Sequence, residues 1–210
     1  MPYAAHHDRR ARPPPIVLSL SEIARGVGGA LRLMRNDAGG LHGLDRSAEG
    51  FRRSFGAAVL LAPLYVLHRM TSYAEYQTVA PLELIVVVEA LFYVIGWTMF
   101  PVALLEVVRR IDRSRHYFGA VVAVNWATVP IFTLYVFVGS ATRLAGTTAL
   151  DAAIGVTLAL LAGTWLARIL RHALDTTWLV AIALAVMEFF LSATASLILF
   201  GTLGLRPATA

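Results

Sequence analysis

The chain has 210 residues, about one domain by length, with 58% hydrophobic residues, 15% charged residues and a mean hydropathy of +0.67. That is far to the apolar side of a soluble domain, and the apolar residues come in blocks of about 20, the length that spans a bilayer. The absence of cysteine excludes disulfides, thiol catalysis and thiolate metal sites, and the net charge of +5 does not point to nucleic acid, because the 18 arginines gather where apolar segments end.

Residues 1–18 are expected to form a disordered tail, of which residues 1–15 are rich in His, Arg and Pro and end on Pro13-Pro14-Pro15, a short stiff spacer. His6-His7-Asp8 offers too few ligands for zinc, and no metal or cofactor is expected. The run Ile16-Val17-Leu18 is too short for a signal sequence, so the first membrane segment is expected to remain as an anchor.

Residues 19–53 form an amphipathic and juxtamembrane region expected in the cytoplasm. Ser19 and Glu22 have capping-box spacing, and the pattern predicts a helix over 19–36. Leu20, Ile23, Ala24, Val27, Leu31 and Met34 lie on one face, with Glu22, Arg25, Arg32 and Arg35 on the other. Such a helix either lies in the interface over anionic lipid or docks on its own bundle, and the sequence leaves both open. Gly28-Gly29 marks a candidate break, and Asp45 a candidate N-cap for the segment leading into the bilayer.

Five spans are expected within residues 54–201: Ser54–Met70, Leu82–Val108, Tyr117–Gly139, Ala149–Leu170 and Thr176–Gly201. The expected fold is therefore an all-α membrane protein, a five-helix transmembrane bundle preceded by an amphipathic interfacial helix, with residues 202–210 as a short outer tail. Pro63, Pro101 and Pro130 fall inside spans, and the long second span is expected to tilt, kink at Pro101 or project beyond the membrane. Glu106 to His116 packs Arg109, Arg110, Arg113 and Arg115 between two apolar runs, as a cytoplasmic turn does. Fifteen of the eighteen arginines fall on that side; Arg69, Arg143 and Arg206 fall on the other. The amino terminus is thus expected inside and the carboxyl terminus outside. Arg25, Arg32, Arg35, Arg52, Arg53, Arg109, Arg110, Arg113 and Arg115 are the candidate contacts to anionic lipid headgroups.

Polar groups inside hydrocarbon are costly and so point to function. Three stand out: Glu89 in the second span, Asn125 in the third and Glu188 in the fifth. From the helix rise, Glu188 falls near the midplane, Asn125 about 5 Å to the inner side and Glu89 about 9 Å to the outer side. No cation is placed at mid-membrane depth to neutralise either acid. Glu188 is therefore expected to hold its proton and to bond Asn125, Thr128 or a helix carbonyl. The group is either a proton-carrying or substrate-contacting site, or interhelical glue. No His-Glu-x-x-His, Gly-x-Ser-x-Gly or phosphate-loop pattern occurs, and His68 is assigned no role. Ala152, Gly155, Ala159, Ala162 and Gly163 recur at helix-neighbour spacing, a face for close packing within the chain or against a second copy or another membrane protein.

The stretch Asp45 to Phe55 before a span with Pro63, Trp97 with Pro101, and Tyr117 followed by Ala123-Val124-Asn125-Trp126 resemble a group of uncharacterised five-span membrane proteins of alphaproteobacteria. More distantly, the layout is similar to the Yip1 family, a cytoplasmic amino-terminal region followed by five spans. The resemblance covers roughly residues 19–200. It implies a protein of a Gram-negative inner membrane, acting in membrane organisation or partner binding, and it supplies no catalytic residue. The expected function is a non-enzymatic scaffold or accessory subunit; the alternative is a small proton-coupled transporter or channel subunit using Glu188, Asn125 and Glu89.

Overall fold

The computed structural model describes residues 18–74, 76–144 and 148–207, and His6-His7-Asp8 lies outside them. The fold is all-α, 85% helical, with seven α-helices among the described residues. Helix α1 (Leu20–Met34) starts where expected, Ser19 Oγ accepting from the Glu22 amide at 3.2 Å. It runs unbroken through Gly28-Gly29, so the candidate break there does not occur. The reason is packing: Gly26 lies against the Trp126 indole and Gly29 against the backbone of Gly40, so tertiary contact outweighs weak helix propensity. Helix α1 packs on helices α5 and α6 described below through Gly26, Gly29, Ala30, Leu33 and Met34, so the expected face is corrected. Leu20 and Ala24 are exposed, Ile23, Val27 and Leu31 flank the contact, and the glycines let the backbone approach closest on the neighbouring face.

A 3-10 turn (Ala38–Gly43) folds back on α1, and α2 (Ala48–Ser54) follows. Asp45 is not the N-cap of α2. Ser47 is, its Oγ accepting from the Gly50 amide at 3.1 Å. Asp45 sits too early and closes an Asx-type turn, accepting from the Ser47 amide at 3.0 Å.

Helix α3 (Gly56–Tyr73) leads through strand β1 (Tyr76–Gln77) to α4 (Leu82–Arg110); a 3-10 turn (Ser114–His116) leads into α5 (Tyr117–Leu144), followed by α6 (Thr148–Ala173), α7 (Trp178–Leu203) and strand β2 (Arg206–Pro207). Four helices are long and apolar enough to cross a membrane: α4, α5, α6 and α7. At 18 residues, about 27 Å long, α3 is not among them. The helices pass through Pro63, Pro101 and Pro130 without interruption. Helix ends are marked by left-handed residues that tolerate that conformation: Asn36 after α1, Asp112 after α4, Asp175 after α6 and Gly204 after α7.

The bundle has two unlike ends. At the basic end, α1 and α2 cover the first turns of α5 and the last turns of α6, and the main core lies there. Leu33, Leu104, Val108, Val121, Ile169, Leu170 and Leu174 are fully buried in it. At the other end, β1 and β2 pair as an antiparallel ribbon with Tyr76 opposite Pro207, above a small cluster of Val88, Leu199 and Leu203. Between the ends, α5 packs on α6, α6 on α7, α7 on α4 and α3 on α5. Large aliphatic side chains such as Val59, Leu67, Val87, Val94, Leu160 and Leu197 point outward. Long apolar helices with an exposed aliphatic belt are the pattern of a multi-pass membrane protein.

Candidate functional site

The three intramembrane candidates do not form one cluster; each has its own partners. Glu89 sits in the seam between α3 and α4. Tyr65, Arg69 and Tyr73 recur every fourth residue on one face of α3, which aims all three at α4. Arg69 donates to Glu89 Oε1 from Nε at 2.8 Å and from Nη2 at 2.6 Å; Tyr73 donates to the same oxygen at 2.6 Å and Tyr65 to Oε2 at 2.5 Å. The Arg69 guanidinium also lies 5.0 Å from the Tyr73 ring and 5.9 Å from the Phe200 ring of α7. The expectation that no cation neutralises Glu89 is therefore corrected. Helix α3 continues to Tyr73, past the expected end at Met70, so Arg69 lies a turn inside the helix rather than at its outer edge and reaches Glu89. With four donors on one carboxylate, Glu89 is a staple between helices.

Asn125 does not meet Glu188. Its Nδ2 donates to Ser54 Oγ at 2.9 Å, and that hydroxyl donates to the Phe51 carbonyl at 2.8 Å. Both residues are buried, because the third turn of α5 lies under the end of α2. Thr128 bonds the Val124 carbonyl of its own helix at 3.0 Å. Glu188 accepts from Ser192 Oγ at 2.7 Å, and Ser196 Oγ donates to the Ser192 carbonyl at 2.9 Å, one turn further on. The expected bonds from Glu188 to Asn125, Thr128 or a helix carbonyl are thus corrected to a local bond on α7. The reason is spacing, which makes Ser192 the neighbour of Glu188 on the same helix face.

What Asn125 and Glu188 share is a half-open cavity of about 670 Å³ between α3, α4, α5, α6 and α7. Its wall is mostly apolar and aromatic, with Trp97, Phe132, Trp165 and Phe189 among the rings. Polar side chains reach it at a few places: Asn125 and Thr128 on α5, Glu188, Ser192 and Ser196 on α7, and Tyr65, His68 and Arg69 on α3. His68 is buried, edge-on to Phe132 and Tyr135.

The small-residue face of α6 forms one side of this cavity. Gly155, Ala159, Ala162 and Gly163 line it, and a methyl group added at Gly155 or Gly163 would meet nothing within 4 Å. The expected close packing of this face within the chain is therefore corrected: these residues make room instead of contact.

The arginines expected at lipid headgroups occupy the basic end, and several are engaged within the chain. Arg53 holds Glu22 of α1, with Arg53 Nε 2.9 Å from Glu22 Oε1. Arg32 pairs with Asp37 at 2.7 Å, Arg110 with Glu106 at 2.8 Å, and Arg52 with Glu49. Arg25, Arg35, Arg109 and Arg115 are exposed, and Arg113 is half-buried. The Arg53 side chain, by hydrogen bonding, holds the Glu22 carboxyl below the usual carboxylate range, with the Ser19 amide adding to it. Arg168, on α6, donates to the Met34 carbonyl at 2.9 Å and so ties the end of α1 to the bundle.

Sequence reasoning missed Tyr65, Arg69 and Tyr73. The signal was present as their four-residue spacing, the same as that from Glu188 to Ser192 and Ser196. Among the described residues no group of three or more His, Asp or Glu side chains could hold a metal ion. No known family, curated protein or solved structure matches the chain.

Proposed function

We propose that this chain is a five-span bacterial inner-membrane protein that binds a small, largely apolar solute within the bilayer, as a proton-coupled transporter does. The observation that carries this reading is the cavity of about 670 Å³ with Asn125 and Glu188 on its wall. Ligand sites are concave, mainly apolar and supplied with a few convergent polar groups, and their volumes run from about 300 to 1,000 Å³. A scaffold needs packed surfaces rather than a void, so the cavity favours solute binding over the scaffold or accessory-subunit reading. Glu89 leaves the candidate site, because its oxygens are occupied by Arg69, Tyr65 and Tyr73. No catalytic step is assigned.

The fifth span of this reading is α3. It starts beside the basic-end cap, where Gly56 touches Leu18, and ends at the ribbon, so it runs the length of the bundle beside α4. Its length of about 27 Å is close to the roughly 30 Å of a hydrocarbon core. With five spans and the arginine-rich end in the cytoplasm, the carboxyl terminus lies outside. The exposed arginines then face anionic headgroups, and α1 rests on the bundle at the same level.

The test is native mass spectrometry of the protein released from its own membrane, beside a Gly163→Phe variant that fills the cavity. The wild type should carry a bound small molecule or lipid that the variant lacks. An identical adduct on both, or none on the wild type, would count against the reading.

A further inference from the structure

We infer that the cavity selects lipophilic organic cations, which bind Glu188 in exchange for its proton. The inference rests on the solute-binding reading above and adds the charge of the ligand. Its ground is the imbalance of charge along the cavity wall. Glu188 is the one carboxylate-bearing residue among the described residues that line the cavity. Its Oε1 accepts from Ser192, and Oε2 accepts no hydrogen bond from any described residue.

The groups that could answer this acid are few. On α3 they are Tyr65, His68 and Arg69, of which Arg69 is already bound to Glu89. On α4 it is Tyr93, whose hydroxyl donates to the Ala58 carbonyl at 2.6 Å; on α5 it is Tyr135. The lining of α6 contributes only apolar residues and glycines. No guanidinium on the wall is left to pair with Glu188, so the site is complementary to a positive charge. The rings of Trp97, Trp165, Phe132 and Phe189 suit the apolar body of such a ligand and attract a cation through their π faces. An anion would find no counter-charge in the same space, and would be repelled wherever Glu188 has given up its proton.

The exchange balances without any other reactant. The empty site holds a neutral carboxylic acid; the cation enters, the acid gives its proton to water, and the carboxylate and cation remain as a neutral pair. Two bound charges of opposite sign cost far less in hydrocarbon than either alone.

Tetraphenylphosphonium and tetraphenylborate have the same shape and opposite charge, which makes them suitable probes. Both would be titrated by calorimetry against the full chain in zwitterionic nanodiscs, with empty nanodiscs as reference, at pH 5.5 and pH 8. The phosphonium should bind at least about tenfold more tightly than the borate. It should bind more tightly at pH 8 than at pH 5.5, with proton release that scales with buffer ionisation enthalpy. Glu188→Gln should abolish the proton release, Glu188→Asp should keep it, and His68→Gln should leave the pH dependence intact.

Equal binding of the two probes by the wild type would overturn the charge selection while leaving the solute-binding reading in place. So would a Glu188→Gln variant that keeps the pH dependence. Binding of neither probe would overturn both.

Discussion

Arg69 Nη2 lies 2.6 Å from Glu89 Oε1, and this bond, with the two tyrosines, is the main link between α3 and α4 along their length. Both side chains are nearly buried, at 16% and 11% exposure. Removing one partner of such a pair leaves an uncompensated charge and costs roughly 3–5 kcal/mol, whereas replacing both with apolar residues is often close to neutral. Glu89→Leu should therefore lower resistance to SDS unfolding in micelles strongly. Adding Arg69→Met should restore most of the loss. A single variant that unfolds at the wild-type SDS fraction would contradict the staple.

Asn125 and Ser54 should be coupled, and Asn125 and Glu188 should not. Interhelical hydrogen bonds in membranes contribute about 1 kcal/mol, a size that a double-mutant cycle resolves. Asn125→Ala and Ser54→Ala are expected to be non-additive by about that amount. Asn125→Ala with Glu188→Gln should add within about 0.5 kcal/mol. Coupling in the second cycle rather than the first would restore the direct contact that depth alone implied.

Those two cycles mark where the sequence was legible and where it was not. Hydropathy and arginine placement located every long helix within a few residues, because burial in lipid imposes a blunt, one-dimensional pattern. Asn125 and Glu188 border the same cavity, but they do not meet. Partner choice was not legible, since it depends on rotation about each helix axis and on the neighbours that packing selects. Apolar helices show only weak amphipathic asymmetry, so rotation is poorly encoded in composition. The cap was half legible. The amphipathic helix was plain, but its seated face was not: Leu20 and Ala24 are exposed while Gly26, Gly29, Ala30 and Leu33 are buried. Only the Gly26–Trp126 and Arg53–Glu22 contacts reveal that it rests on protein. The small residues of α6 misled for the same reason: spacing cannot tell a contact from a void.

The Arg53–Glu22 pair gives the cap a pH dependence with a definite sign. Glu22 is held below its ordinary value of 4.5, chiefly by the Arg53 hydrogen bonds. A lowered carboxyl contributes stability that is present above its unfolded value and is lost as pH falls through its folded value. Asp37, held down by Arg32, and Asp45, held down by Ser47, have the same sign. Hydrogen exchange of residues 20–54, corrected for intrinsic rate, should therefore show protection that falls as pH drops below about 5. Glu22→Gln should remove part of the dependence. Protection that rises on acidification would contradict the assignment.

Two glycines of α1 should respond oppositely to the same substitution. A methyl group at Gly26 would collide with the Trp126 indole, and one at Gly28 would meet nothing within 4 Å. Overpacking typically costs about 1–3 kcal/mol, so Gly26→Ala should loosen the cap and raise its susceptibility to protease. Gly28→Ala removes a poor helix former and should stabilise by up to about 1 kcal/mol. Equal effects of the two variants would mean that α1 does not seat on α5 through this face.

The cavity itself can be tested through Gly155, without any ligand. A side chain there enters open space, whereas one at Gly29 runs into the backbone of Gly40 and the side chain of Leu44. Filling a void adds dispersion contacts and removes a poor helix former, together worth up to about 1 kcal/mol. Gly155→Leu should therefore melt at or above the wild-type temperature in detergent, and Gly29→Leu well below it. The same comparison in native bilayers separates an empty cavity from a face covered by a second copy. If α6 packs on a partner through Gly155, the leucine would push the two apart. A loss of stability or of a cross-linked dimer in Gly155→Leu would then assign the small-residue face to association. Unchanged assembly together with unchanged melting leaves it as the wall of a binding site.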